Sequence, residues 1–111
     1  MTGLRVGSLP DDPLAASAAF YAAWLPEIIA LLSAGQAVVT LVFDPASHSH
    51  TDWRAAAIAT LAREKAPARI NAVASDNEAA IAAAATYFAA APAITGHYFA
   101  LDGTGAGSLI G

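Results

Sequence analysis

At 111 residues the chain has room for one core, and we read it as a single domain over 1–111. With 5 basic against 9 acidic residues, a net charge of −4 and a pI near 5.0, it offers no electrostatic footprint for nucleic acid. It has no cysteine, which excludes disulfides and thiolate chemistry and makes a cytoplasmic location the default expectation.

The hydrophobic fraction of 57% is about half alanine, at 31 residues. Alanine is the best helix former, so this composition favours closely packed helices. No run of ~18 residues is free of polar or helix-breaking positions, so no membrane contact is expected. The opening "MTGLRVGSLPDDP" lacks the basic and long apolar regions of a secretory leader.

In chain order, "LRVGSL" (4–9) reads as a short strand ended by Pro10. Asp12 followed by Pro13 predicts a helix start, a capping side chain and then proline at the first helical position. The helix runs over 13–34 with Leu14, Ala18, Tyr21, Leu25, Ile28 and Leu32 on one face, and Phe20, Trp24 and Leu31 form a second stripe. Pro26 should kink it, and Gly35 should cap it. "AVVTLVF" (37–43) is a continuous β-branched and aromatic run, the mark of a strand covered on both faces.

"DPASHSHTD" (44–52) reads as a loop, followed by a helix over 52–66 with Trp53, Ala57 and Leu61 on one side. "ARINAVA" (68–74) is the third strand. Ser75 with Glu78 fits a capping box that opens a helix running to about Ala90. "APAITG" leads into a last strand, "HYFALD" (97–102), and Gly103, Gly105 and Gly107 read as a flexible tail. The order β-α-β-α-β-α-β implies an α/β fold of three layers, a mainly parallel four-stranded sheet with helices on both faces.

Two of these passages carry a family likeness. "LAREKAPARINAVAS" resembles the helix-to-strand passage of short-chain dehydrogenases/reductases, and "YFAAAPAITGHYFALDGTG" is similar to that family's closing segment. The resemblance covers about 13–105 and corresponds to the C-terminal half of the family, which implies a small Rossmann-like domain, truncated and degenerate. The family's glycine fingerprint for a dinucleotide belongs to the other half and has no counterpart here.

The family's catalytic pattern is a Ser after one strand and Tyr-x-x-x-Lys on the next helix, with the tyrosine as acid/base. Four residues after Tyr21, Tyr87 and Tyr98 stand Leu25, Ala91 and Asp102, and the single lysine is Lys65. Aligned without a gap, the tyrosine and lysine places fall on Ser47 and Thr51. The expectation is therefore no dehydrogenase catalytic residue, no cofactor and no metal.

The remaining polar cluster is Asp44, Ser47, His48, Ser49, His50 and Asp52, beyond the end of a central strand, where open α/β sheets place ligands. His48 and His50 beside a carboxylate suit a divalent metal that activates water. Alternatively, a histidine serves as base for Ser47 or Ser49, with Asp44 as the nearby carboxylate. The preferred reading is plainer, a solvated loop whose Ser or Thr caps a helix. His97 reads as a surface or interface residue.

The first strand lacks a neighbour on one side, and an open edge invites pairing with another chain. The helices 13–34 and 52–66 resemble those that join subunits in this family, with Phe20, Trp24, Leu31 and the small face of Ala55, Ala56 and Ala59 as the expected contact. The "ITG…DG" end suggests a second interface. The reading is a non-catalytic domain acting through oligomerisation, as a homo-oligomer or an accessory subunit with a full-length dehydrogenase-like chain. Two alternatives stand beside it: an oxidoreductase component completed by a separate NAD(P)-binding chain, and a small metal or hydrolase site at His48 and His50.

Overall fold

The computed structural model describes residues 2–101. Four strands, β1 (Thr2–Arg5), β2 (Val38–Phe43), β3 (Arg69–Ala74) and β4 (Tyr98–Ala100), form one sheet in the order β1-β2-β3-β4. Every pairing is parallel, with Leu4 opposite Leu41, Val42 opposite Val73 and Val73 opposite Phe99. The helices are α1 (Pro13–Ala23), α2 (Leu25–Ser33), α3 (Thr51–Glu64) and α4 (Glu78–Ala90).

The pleat of the two central strands sorts the core into two clusters. Val39, Leu41 and Phe43 of β2 and Ile70, Ala72 and Ala74 of β3 face α1, α2 and α3, packing with Phe20, Ile28, Ala57, Ile58 and Leu61. Val42 and Val73 face the other way, onto Ala80, Ile81, Ala84 and Phe88 of α4. Both strands are buried on both faces, which is why they read as unbroken apolar runs. The three-layer parallel α/β architecture expected from the element order is the one observed.

Several boundaries differ from the sequence reading. The first strand covers Thr2–Arg5 rather than 4–9, because the ladder ends where the Val6 amide donates to the Val42 carbonyl at 2.8 Å. Gly7 to Pro10 then swing over the ends of the strands, with Trp24 against Gly7 so closely that a Cβ there would lie 3.4 Å from the indole.

The helix expected over 13–34 is two helices broken at Trp24. Pro26 stands in the first turn of α2, where its missing N–H is not needed, and its ring would clash with the carbonyl four residues back in a continuous helix. Asp12 caps α1 as expected, its carboxylate accepting from the Ala15 amide at 2.9 Å. Gly35 closes α2 with φ of 96°, and the Gln36 and Gly35 amides donate to the Leu31 and Leu32 carbonyls at 3.1 Å each.

The loop expected over 44–52 contains a 3-10 turn (His48–His50) leading straight into α3. The capping box at Ser75 is not formed. Asn77 is the cap of α4, accepting from the Ala80 amide at 3.0 Å, while the buried Ser75 hydroxyl accepts from the Asn77 amide.

The packing also reassigns the helix faces. Phe20 is fully buried and Trp24 and Leu31 pack on the same core, so the stripe expected at an interface covers the protein's own sheet. Leu14, 83% exposed, with Tyr21 and Ile29, both 40% exposed, lies on the outer side instead. Of the small face of α3, Ala56 and Ala59 are exposed and Ala55 is half-buried.

Together Pro13–Ser33 gives 21 residues with a mean hydropathy of 1.5 in its most apolar window. By length and composition alone this is apolar enough to cross a membrane, although no run within it is free of polar or helix-breaking positions. Ser17, Pro26 and Glu27 interrupt it, but alanine and leucine carry the average. The final strand expected over 97–102 is Tyr98–Ala100, with His97 and Leu101 outside it, while Asp102 and the glycines at 103, 105 and 107 lie outside the described residues.

Candidate functional site

The loop after β1 and the loop after β2 face each other across a cavity of about 420 Å³ at the carboxyl end of the sheet. Gly7 to Asp11 form one wall and Asp44 to Ser47 the other, Phe43 lies at the base, and His50 and Arg54 reach in from the start of α3. The position is the one that parallel sheets use for ligands, where neighbouring strand ends splay into loops.

The expected site residues divide between rim and wall. Asp44, Ser47, His48, Ser49 and Asp52 are exposed, and the Ser47 and Ser49 hydroxyls are hydrogen-bonded to each other at 2.7 Å. His50 is buried at 6% exposure. Its Nδ1 accepts the indole N–H of Trp53 at 3.0 Å, and its Nε2 lies 2.9 Å from the Asp11 carbonyl. An indole N–H only donates and a carbonyl only accepts, so this pair of bonds assigns His50 as the neutral ring with its proton on Nε2.

Both nitrogens of His50 are therefore occupied. It ties the 7–11 loop to α3, with no lone pair left for a metal or for a serine proton. No group of three or more His, Asp or Glu among the described residues is placed to hold a metal ion. Asp44 enters the wall through its main chain, its carbonyl accepting from Arg54 Nη1 at 3.0 Å.

Arg54 is the residue that motif reading missed. It is 4% exposed, and its guanidinium lies over the Phe43 ring at 4.5 Å and near the Trp53 ring at 5.8 Å. Nη1 also donates to the Tyr98 hydroxyl at 3.2 Å, whereas Nε is enclosed without a hydrogen-bond partner. The signal was in the spacing: Arg54 stands three, four and seven residues before the buried Ala57, Ile58 and Leu61, on the inward face of the helix.

The two passages that carried the family likeness have structural roles. Buried Asn71 accepts from the His97 amide at 3.0 Å and donates to the Ile94 carbonyl at 3.1 Å. The Thr95 hydroxyl accepts from the Ile70 amide, and Gly96, at φ of 80°, donates to the Ile70 carbonyl. Arg69 caps the end of α4 through the Phe88 and Ala91 carbonyls at 2.9 and 2.8 Å. The "RIN" and "ITGH" segments thus lock the last strand onto the third. His97 is exposed, with its ring stacked on Phe99.

A parallel four-stranded α/β sheet with a crevice over its carboxyl ends defines a small Rossmann-like domain. Residues 4–101 match the family model for SDR-like proteins, described as short chain dehydrogenase-like protein. The chain belongs to that family. Searches of curated proteins and of solved structures find no match to it.

Proposed function

We propose that this chain is a non-catalytic short-chain dehydrogenase-like domain that works by association, with a second copy or with a dehydrogenase-like chain. The observation that carries the reading is the placement of exposed apolar bulk. Among the described residues the large hydrophobics in the exposed class are Leu14, Tyr21 and Ile29, all on α1 and α2. Tyr21, Leu25 and Ile29 line a mainly apolar groove of about 220 Å³ against Thr60 and Leu61 of α3, with Glu64 and Lys65 at its edge. Contiguous apolar surface of this kind is ordinarily covered by a partner.

Two further features support it. β1 is paired with β2 alone among the described strands, leaving an edge open to another strand. The positions aligned with the family's acid/base tyrosine and its lysine are Ser47 and Thr51, neither of which can replace a phenol activated by an ammonium.

Native mass spectrometry of the untagged chain and of the double variant Tyr21→Glu/Ile29→Glu tests the proposal. We expect an oligomer or a stoichiometric companion for the parent and its loss in the variant, with unchanged circular dichroism. A parent that is monomeric and partnerless when purified gently from its own cells would sink the association reading. Saturable micromolar binding of NAD or NADP to the chain alone would sink the non-catalytic one.

A further inference from the structure

Among the described residues no anion pairs with the cation at Arg54. Its side chain is 4% exposed, and the Nη1 hydrogen bonds go to neutral acceptors, the Asp44 carbonyl and the Tyr98 hydroxyl. Nε has no partner. Among the described residues the ion pair present is Arg5 with Glu78, both exposed, on the far side of the sheet from α3. The face of the Phe43 ring offsets part of the charge, yet buried guanidinium groups are ordinarily matched by a carboxylate or phosphate.

We propose that the cavity between the 7–11 and 44–47 loops binds a small organic monocarboxylate, with Arg54 as its counter-ion. Arg54 lines that cavity, whose volume of about 420 Å³ suits a small organic acid. Leu9, Pro10, Pro45 and Phe43 supply apolar wall for the body of such a molecule. His50 offers the ligand no free nitrogen, since both of its nitrogens are already hydrogen-bonded.

The sign and size of the anion follow from the other lining groups. Asp11 and Asp44 also border the cavity, and their carboxylates oppose a second negative charge more than a first. Because Nε is enclosed, the ligand meets the guanidinium from the cavity side and neutralises its charge.

The test is NMR titration of the full-length, untagged, ¹⁵N-labelled chain with benzoate, with benzamide as its neutral counterpart, and with inorganic phosphate. We expect saturable shifts with benzoate at the amides of Gly7, Ser8, Leu9, Asp44 and Ala46. Benzamide and phosphate should bind roughly tenfold or more weakly, the loss expected for a charge-assisted hydrogen bond. Arg54→Gln should abolish the benzoate response. Since that change alters a buried residue, Ala46→Phe, on the exposed rim, provides an independent block that leaves Arg54 in place. Equal binding of benzoate and benzamide, tighter binding of phosphate, no saturable benzoate shift, or full benzoate binding by Ala46→Phe would each overturn the proposal.

Discussion

Trp53 donates its indole N–H to Nδ1 of His50 at 3.0 Å, and that single bond decides which nitrogen of the histidine carries the proton. The other nitrogen then donates to the Asp11 carbonyl, joining the loop after β1 to the first turn of α3. The histidine in the most suggestive motif of the sequence is thus a strut in the cavity wall.

Trp53→Phe keeps the packing against Phe20 and Phe43 but leaves Nδ1 of His50 without its donor. A loss of about 1–3 kcal/mol is expected, the cost of an unsatisfied buried acceptor. Urea denaturation followed by the fluorescence of Trp24 reports it. A variant as stable as the parent would mean that the bond contributes nothing and that the tautomer is free to change.

Asn71→Leu removes both side-chain bonds that hold the 94–97 segment to β3. Each main-chain group left unpaired costs about 1–3 kcal/mol. Hydrogen exchange should show the His97 amide losing protection before the amides of β2 do. Uniform loss across the sheet would indicate that the closing segment does not open separately.

The reassigned faces of α1 make opposite predictions for two large residues. Phe20→Ala empties a fully buried site among Tyr21, Phe43 and Trp53 and should cost about 3–5 kcal/mol. Leu14→Ala, at 83% exposure, should change monomer stability by no more than about 0.5 kcal/mol. Comparable losses by chemical denaturation would contradict the face assignment.

Gly35→Ala forces a side chain onto a backbone with φ of 96° at the end of α2 and should destabilise by roughly 1–2 kcal/mol. Asp12→Ala removes the cap of α1 and should cost about 1 kcal/mol. By contrast Arg5→Ala, whose ion pair with Glu78 is largely exposed, should fall within about 0.5 kcal/mol. Thermal melts of the three variants would rank them in that order.

Signals that depend on near neighbours along the chain were legible. Val38–Phe43 and Arg69–Ala74 are buried on both faces, and a doubly covered strand has no polar alternation to hide. The Asp12 and Gly35 caps are satisfied within four residues, so their residue types announce them. Ser75 and Asn77 show the limit of that logic. Both can cap, and the Asn77 side chain took the Ala80 amide while Ser75 turned inward beneath the end of β2.

The sequence by itself determined the order of elements, the parallel sheet and the family, because hydrophobic period, caps and short motifs are written locally. The tertiary structure decided which stripe of α1 and α2 faces inward, since the sheet packs against Phe20, Trp24 and Ile28 and leaves Leu14 and Tyr21 outside. It also made His50 a strut and Arg54 a buried cation beside a cavity. Those roles come from Asp11, Asp44 and Tyr98, brought from 39, 10 and 44 residues away, and long-range partners of that kind leave no local pattern to read.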